Sequence, residues 1–479
     1  YEVNGAGMLF KSNFQMLASL KAGNISQFAL NEGTNHFDSK ETVSTVSSLL
    51  GNISASTPPI EVDRYASPTD RLLSFNILRK IRKDVTLKGN VGYSYAKSQY
   101  DYSLTRSYTD AENNIVISQA YSPLSSVHRP SIQLEYKDNS DKTYLVNTLS
   151  GVGSFLTSEL PTRENGTLFN QKQTMREFFL NNKFSTLWHH KDLRWSLTSV
   201  VSYQGSPMGK VALDKETKDA VVQNANGQSF RTENTLSLSK KHRNSRIYLP
   251  ILLNYYMDKV QTTLHPMDES NDVSMQNLRV ALAPQYEYSH FQYRYVLRLE
   301  VPVRMDYIAH RDHMIASSSG SWYFSVCPSM YCNYKLTSRS VLRTNIFYAR
   351  TFGDILDFLK SPVRIDDTSM KMGSGILADN KSLNDYKIPL KMWFFNADIL
   401  YNQERSNILA SQDASNTLVT MSKIYAPNTA KSLIGQVGIT KFIESIKTKI
   451  SLNGGYQWRR QMTLQNGYQQ KYTWKSLTF

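Results

Sequence analysis

Long hydrophobic runs are missing from this sequence of 479 residues. A membrane-spanning helix needs about 18 consecutive apolar residues, and no such run occurs, which excludes a helical membrane protein. Hydrophobic residues make up only 40%, yet 29 Tyr and 20 Phe stand beside 22 Gly and 15 Pro. A Tyr-rich chain of low hydropathy is typical of a membrane β-barrel, because only one face of each strand meets lipid.

Cysteine is almost absent, and its two copies, Cys327 and Cys332, lie on one predicted strand. Their odd spacing places them on opposite faces, where a disulfide bond would need a sharp bend. No cluster of His or Cys accompanies them, so neither a zinc nor a redox site is expected. Sequence signatures of zinc proteases, serine hydrolases and phosphate-binding loops are also missing. We therefore expect no catalytic activity and no resident metal or cofactor.

Acidic residues are outnumbered, since 55 Lys and Arg face 40 Asp and Glu for a formal net charge of +15. The basic residues alternate with apolar ones along predicted strands, whereas a nucleic-acid-binding protein concentrates them in one stripe. Nucleic acid is therefore not an expected partner. The basic turn Lys240–Arg243 is interpreted as a contact to anionic lipid headgroups or as a guard against strand pairing.

Alternation of apolar and polar residues with period two runs through the chain. It extends from Gly7 to Gly23, longer than an average globular strand of about 5–6 residues, and predicts one strand there. The pattern returns at residues 85–95, 193–203, 295–307, 322–334 and 446–458. Aromatic residues gather toward the ends of these stripes, as in the interfacial girdles of membrane barrels. Strands of this length, without a blade repeat, disfavour a soluble sandwich or propeller.

Short polar turns alternate with long polar links along the sequence. The predicted turns are at residues 82–84, 138–142, 189–192, 241–245, 289–292, 337–340 and 403–406 and near 444. The predicted long links are at residues 24–69, 104–127, 156–174, 209–228, 259–274 and 352–388. This asymmetry predicts an up-and-down antiparallel transmembrane β-barrel of about 18 strands, with periplasmic turns and extracellular loops. Both chain ends are expected on the periplasmic side.

Several phrases resemble barrel segments of TonB-dependent outer-membrane receptors of the Bacteroidota type. They are Leu73–Asn76 leading into Val85–Tyr95, and Asp354–Pro362 leading through a long loop to Tyr386–Phe395. The resemblance covers nearly the whole chain loosely, and it implies a barrel of about 22 strands in the bacterial outer membrane. It also implies a plug domain and a TonB-binding segment before the barrel, so residues 1–479 are expected to be a barrel fragment without signal peptide or plug.

Partners follow from the same resemblance. Outer-membrane lipid and lipopolysaccharide are expected around the barrel. The TonB complex would act through the missing N-terminal part, and a surface lipoprotein or other outer-membrane subunits would complete the assembly.

Candidate site residues fall into two groups. The alternation assigns Lys11, Asn13, Gln15, Lys21, Lys88 and Asn90 to the lumen. The link at 352–388 is the best candidate lid, with Asp366, Asp367, Met370, Met372, Gly373 and Gly375 as its residues. The adjacent acids are interpreted as hydrated loop residues or as half of a calcium site. The pair His189 and His190 is interpreted as a solvated turn.

The leading functional hypothesis is a transporter that imports a polar nutrient or oligomer. One alternative is a non-transporting barrel that serves as a structural subunit of an outer-membrane complex. Another is a passive porin. An intact plug and TonB-binding segment would favour transport, and steady conductance would favour the porin.

Overall fold

A computed structural model describes all residues except 26–28, 30–44, 52, 54–57, 59, 62–63, 110–113, 141–143, 191, 216–217, 291–293, 338–339, 367–368, 388–389, 393–394, 415–418 and 479. Within the described residues, 27 strands form a single sheet. They are β1 Glu2–Lys11, β2 Phe14–Gly23, β3 Ser67–Arg82, β4 Val85–Gln99, β5 Tyr102–Thr109, β6 Asn114–Tyr121, β7 Leu124–Asn139, β8 Tyr144–Glu164, β9 Thr167–His190, β10 Leu193–Lys215, β11 Lys218–His242, β12 Ser245–His265, β13 Glu269–Leu282, β14 Gln285–His290, β15 Tyr295–Glu300, β16 Val303–Asp312, β17 Ser317–Val326, β18 Ser329–Thr337, β19 Ser340–Phe352, β20 Val363–Arg364, β21 Ser369–Met372, β22 Asp379–Lys387, β23 Leu390–Met392, β24 Phe395–Ala414, β25 Val419–Ile443, β26 Thr448–Gln465 and β27 Tyr468–Thr478.

Helix is scarce in the same residues. The α-helix α1 spans Thr45–Leu50, and two 3-10 helices span Ile355–Phe358 and Glu444–Ile446. None of the helices in the described part of the chain has the length and apolar character to cross a membrane.

The wall of the barrel is an antiparallel meander. Four pairs of segments, β13/β14, β15/β16, β17/β18 and β22/β23, are single strands with a break. The members of β13/β14 share the neighbour β12, and those of β22/β23 share β19 and β24. The members of β15/β16 and β17/β18 pair segment by segment with the interrupted strand beside them. The β5–β6 hairpin and the short strands β20 and β21 belong to connections between wall strands. Counting each pair once and leaving those four aside, the 27 segments give 19 wall strands.

The extra strand relative to the expected 18 arises at the start of the chain. The stretch Gly7–Gly23 is not one strand, because the chain turns at residues 12–13 and β1 pairs with β2 over their whole length. Glu2 lies opposite Gly23, and the Tyr1 ammonium donates to the Asn24 side chain at 2.6 Å. The first residue therefore lies at the end of the barrel that carries the long connections. The expectation that both chain ends share the periplasmic side is wrong.

Most of the predicted long links are strand. Strands β8 to β12 contain 21 to 25 residues each, about 70–80 Å of chain, whereas crossing a membrane takes about 9–11 residues. The surplus extends past the membrane as hairpins, and the predicted links at 156–174, 209–228 and 259–274 lie inside them. Polar residues there mark strands in water, not loops. The predicted turn at 403–406 lies within β24 and is also wrong.

One face of the wall is apolar and exposed, as a lipid-facing surface must be. Residues directly opposite in antiparallel strands share a face, and this face carries exposed side chains on strand after strand. They include Leu73, Phe75, Leu87, Val91, Ile132, Leu134, Leu180, Leu253, Met305, Phe324, Ile399 and Val437. The opposite face buries polar side chains, among them Ser74, Asn90, Gln133 and Ser150. The alternation read from the sequence is thus confirmed in these strands.

Aromatic pairs bound this apolar belt at both ends. Tyr295 packs against Tyr334 near the short turns, and Tyr307 packs against Trp322 toward the other end. The 12 residues from Tyr295 to Tyr307, at about 3.3 Å each and tilted by about 45°, span about 28 Å of membrane normal. This height matches the apolar band of an outer-membrane barrel, about 25 Å.

Prolines interrupt three neighbouring strands at one level. Proline has no N–H for the ladder, so the strands break at Pro284, Pro302 and Pro328. Their carbonyls still accept hydrogen bonds across the break, from the Val301 N–H to Pro284 at 3.1 Å and from the Cys327 N–H to Pro302 at 2.9 Å. The wall stays continuous there.

Candidate functional site: a lid docked inside the barrel

The connection Gly353–Ala378, between β19 and β22, folds into the barrel lumen and is here called the lid. Its 3-10 helix buries Ile355 and Phe358, the following Leu359 is also buried, and β20 buries Val363. These residues join a hydrophobic cluster with the inward-facing side chains Val211, Leu213, Ala225, Val260, Val273, Met275 and Ile308 of the wall. A lumen-facing apolar cluster sits above the upper aromatic girdle, where the barrel is otherwise polar inside.

Helix α1 completes this cluster from the first long connection. Val46, Leu49 and Leu50 are each about 1% exposed. Val46 lies directly over Gly209 and Gly227 of the wall, where a Cβ atom would come within 2.6 Å and 2.8 Å of its methyl groups. The two glycines let the helix approach the wall this closely.

Three buried side-chain amides of the wall hold the inserted backbone. Asn271 accepts from the Ser361 N–H at 2.9 Å and donates to the Ser361 carbonyl at 3.0 Å. Gln173 accepts from the Ile53 N–H at 3.1 Å and donates to the Gly51 carbonyl at 2.6 Å. A carboxamide has one acceptor and one donor group, so it can pair with a peptide as a neighbouring strand would.

The third amide also hydrogen-bonds inserted backbone, but it makes only one of its hydrogen bonds to the lid. Gln223 accepts from the Arg364 N–H at 2.9 Å, and its amide nitrogen donates to the Thr263 carbonyl at 3.0 Å. We call Gln173, Gln223 and Asn271 the amide clamps. They satisfy backbone groups that would otherwise be buried without partners.

A buried ion pair fastens the other side of the lid. The Asp357 side chain is fully buried and pairs with Lys423 of β25, while its second oxygen accepts from the Ala378 N–H at 3.2 Å. Beside it, β21 runs parallel to β25, with Met370 opposite Thr420. Backbone hydrogen bonding and charge pairing thus join the lid to the same strand.

Close packing around Asp357 requires glycine at the crossing chain. A Cβ atom on Gly373 would lie 2.5 Å from the Leu356 carbonyl oxygen, closer than real Cβ contacts come. The Gly373 N–H donates to the Leu359 carbonyl at 2.7 Å. The returning half of the lid therefore lies flat against the 3-10 helix.

The base of the lid is closed by paired charges. Arg350, just before it, makes two hydrogen bonds of 2.8 Å to the carboxylate of Asp379, just after it. Below, the fully buried Asp306 lies 2.6 Å from Arg279 and 2.8 Å from Arg304. Charges in the barrel interior are stabilised only when partnered in this way, so the lid starts from a rigid ring segment of the wall.

Asp354 caps the 3-10 helix by accepting from the Leu356 N–H at 3.0 Å. The protein packed around this carboxyl raises its pKa, and the neighbouring Asp357 carboxylate adds to the increase, although Lys423 opposes it. The charged form of Asp354 is therefore disfavoured when the lid is docked.

Four of the predicted lumen residues lie on the inner face. Lys21 and Gln15 share the face of Ser19, which hydrogen-bonds Ser74 across to β3. Asn90 is buried and donates to Gln133 at 2.9 Å, and Lys88 lies on the same face of β4. Whether they line a solute path stays a prediction.

Two other predicted lumen residues lie elsewhere because of the turn at 12–13. Lys11 pairs with Phe14, on the face that carries the exposed Leu20, so its assignment to the lumen is wrong. Asn13 lies in the turn and belongs to neither face, and its carbonyl accepts from the Lys80 N–H at 2.8 Å. The turn lacks Gly and Pro, and the turn-favouring residues Ser12 and Asn13 are a weaker sequence signal for it.

The predicted lid residues lie within the lid. Met370 is buried, and Met372 and Gly375 are half-buried. Gly373 packs against the 3-10 helix. Asp366 accepts from the Ser369 hydroxyl at 3.0 Å, whereas Asp367 lies outside the described residues.

The described residues offer no cluster of side chains for a metal ion. The described ranges contain no group of three or more His, Cys, Asp or Glu side chains that could hold an ion. The calcium hypothesis for Asp366 and Asp367 stays a prediction. His189 lies at the short-turn end, beside the lumen recess described next.

The inner half of the lumen is polar. One recess of about 520 Å³ is lined by side chains such as Gln133, Glu135, Lys137 and Lys183. Another of about 460 Å³ is lined by His189, Asp192, Arg194, Lys241 and others. Both recesses lie toward the short turns, and we call this polar end of the lumen the polar chamber.

Sequence reasoning missed the amide clamps, Asp357 and Lys423. Buried amides on a strand look like any polar lumen residue, and the partner of each is over 80 positions away. Only the unusual concentration of apolar residues in Ile355–Leu359, within a polar link, could have indicated an inserted segment.

No protein-family model matches the chain, and no curated protein matches it. Among solved structures, the copper transporter OprC aligns with a TM-score of 0.52 at 10% identity, over 86% of this chain and 70% of its own. The siderophore receptor PiuA from Acinetobacter baumannii aligns over 99% of this chain and 78% of its own, with a TM-score of 0.45 and 7% identity. The ferric yersiniabactin uptake receptor FyuA from Yersinia pestis aligns over 86% and 70%, with a TM-score of 0.46 and 10% identity.

Identity this low bears on the fold alone. The antiparallel meander and the apolar belt between aromatic girdles are features that a membrane-spanning barrel requires. The chain is an outer-membrane β-barrel, and its fold is similar to that of the copper transporter OprC.

Proposed function

We propose that this barrel belongs to a TonB-dependent transporter that imports a polar nutrient or oligomer across the outer membrane. The observation that carries the proposal is the lid, an extracellular connection that is folded into the lumen above a polar chamber. A gate of this kind has a purpose where passage must be selective and must be driven.

The lid also argues against a passive porin. A porin keeps an aqueous channel open, whereas apolar side chains of the lid and α1 project into this lumen and pack against its wall. Energy from outside the barrel would be needed to move them, and the TonB complex is the source that the resemblance suggests.

A structural, non-transporting subunit is the second candidate. The amide clamps and the Asp357–Lys423 pair hold the lid and α1 firmly, which suits a lumen that never opens. A surface lipoprotein or another outer-membrane subunit would then bind the strand hairpins that extend past the membrane.

The transporter and the structural subunit predict different defects in a strain that lacks the gene. Cells with the gene, without it, and with it but without TonB should be grown in a defined mixture of labelled polar nutrients and short oligomers. We expect one component to be depleted only when the gene and TonB are both present. Equal depletion in all three strains, together with loss of a co-purifying outer-membrane protein in the deletion strain, would favour the structural subunit.

A further inference from the structure

A partly open cavity lies between the lid and the tips of three wall strands, apart from the polar chamber. It has a volume of about 440 Å³ and is formed by α1, the lid and the ends of β24, β25 and β26. Small-molecule sites have volumes of about 300–1,000 Å³. The cavity is therefore of a size that one small ligand would fill.

The lining of this cavity is mainly apolar. The apolar side chains are Leu49, Leu356, Leu359, Met372, Met421 and Leu464. Methionine side chains adapt to ligands of irregular shape. The polar recesses of the inner lumen have a different composition, so the ligand class should differ as well.

Charge in the cavity has one sign. Lys371 and Lys423 both line it, and the described residues of its lining include no Asp or Glu. Lys423 is already paired with Asp357. Among the described residues, the Lys371 ammonium has one weak contact, 3.5 Å to the Ser48 carbonyl, which leaves donor capacity for an acidic group.

We propose that this cavity binds a small anionic amphiphile, that is, an apolar ligand with one acidic group held by Lys371. The proposal rests on the proposed function in that the ligand would accompany the transported solute, which is polar and is a different molecule. Because the lid supplies Leu356, Leu359 and Met372, an occupied cavity also holds the lid in its docked position.

The test uses the full-length protein in lipid nanodiscs, with empty nanodiscs as background. The probe is 11-(dansylamino)undecanoic acid, and its methyl ester is the uncharged match. We expect saturable fluorescence enhancement with the acid and about tenfold weaker binding of the ester, the size expected for one charge-assisted hydrogen bond. Lys371→Gln should weaken acid binding by a similar factor and leave ester binding unchanged.

A second variant fills the cavity without altering charge. Ala410→Phe places a ring where Ala410 lines the cavity, and it should abolish binding of both probes. Val437→Phe on the lipid-facing surface, where Val437 is 52% exposed, is the matched control and should bind like the parent protein. Retention of the β-sheet circular-dichroism spectrum checks that each variant is folded.

The lipid composition of the nanodisc distinguishes a membrane lipid from a free amphiphile as the occupant of the cavity. If adding phosphatidylglycerol to phosphatidylcholine nanodiscs competes with the probe, the occupant is a membrane lipid. If it does not, the occupant is a free amphiphile. Both results support the cavity. Binding no stronger than to empty nanodiscs, or binding that Ala410→Phe leaves intact, overturns the proposal. Probe binding without nutrient depletion in cells would instead refute transport and leave the cavity standing.

Discussion

Single side-chain amides replace a strand where the lid and α1 enter the lumen. A peptide that leaves a sheet must find new partners for its N–H and C=O groups. Asn271 supplies both to Ser361, and Gln173 supplies them to Ile53 and Gly51. At the scale of residues, docking of the lid therefore depends on a few buried contacts with measurable effects.

Removing one clamp should loosen the lid locally. Asn271→Ala leaves the Ser361 N–H and carbonyl without these partners, at a cost of about 1–3 kcal/mol. Hydrogen exchange over residues 355–365 should accelerate by about 5- to 150-fold. Asn277→Ala, on the same face of β13, is the control because the Asn277 amide oxygen has no hydrogen-bond partner among the described residues. Equal acceleration in both variants would show that the clamp is not what holds the lid.

The raised pKa of Asp354 predicts a pH-dependent stability of the docked lid. Because docking raises this pKa, the penalty is fully present at neutral pH and disappears as pH falls through the raised pKa toward 3.8. Asp354→Asn keeps an acceptor for Leu356 and removes the penalty. Hydrogen exchange of the lid should be slower in the variant at neutral pH, with a difference that shrinks in acid. A difference that grows in acid would have the wrong sign.

At the scale of elements, the sequence predicted the wall better than its connections. Alternation identifies strands wherever one face is lipid and the other is lumen, so β4, β10 and β16 were recognisable. It failed at residues 12–13, where a turn lacks Gly and Pro, and above the membrane, where both faces of a strand meet water and polar strand resembles loop. The lid was located by its length, but its docking depends on contacts distant in sequence.

The returning half of the lid depends on the absence of a side chain at Gly373. Gly373→Val would drive carbon atoms into the Leu356 and Asp357 carbonyls, and we expect undocking, with protease cleavage within the lid at least tenfold faster, equivalent to about 1.4 kcal/mol. Gly435→Val is the control, because a Cβ atom there meets nothing within 4 Å. Resistance to protease equal to that of the control would contradict the packing described for the lid.

The ion pair between the lid and β25 can be tested with a double variant. Lys423→Met leaves the fully buried Asp357 charge unpaired, which costs about 3–5 kcal/mol for a buried pair and less here because Lys423 reaches solvent. Asp357→Asn combined with Lys423→Met removes both charges and should recover most of the lost protection from hydrogen exchange. If the double variant is as exposed as Lys423→Met, charge pairing is not the cause.

At the scale of the whole molecule, the barrel has an apolar belt outside, a polar chamber inside and a docked apolar lid between the chamber and the exterior. The membrane-spanning parts of strands such as β4, β10 and β16 follow from alternation, and the belt height of about 28 Å follows from strand geometry. The 22 strands that the resemblance implies stay a prediction, since the described residues form 19 wall strands. In the proposed function, movement of the lid opens the path between the exterior and the polar chamber.

Locking the lid tests this account most directly. In a background of Cys327→Ser and Cys332→Ser, cysteines replace Met370 and Thr420, which lie opposite each other in β21 and β25, about 4.8 Å apart and within reach of a disulfide bond. Uptake of the nutrient identified by depletion should stop in oxidised cells and resume after mild reduction, while either single-cysteine variant transports throughout. Undiminished uptake with the cross-link formed would contradict the claim that the lid is the gate.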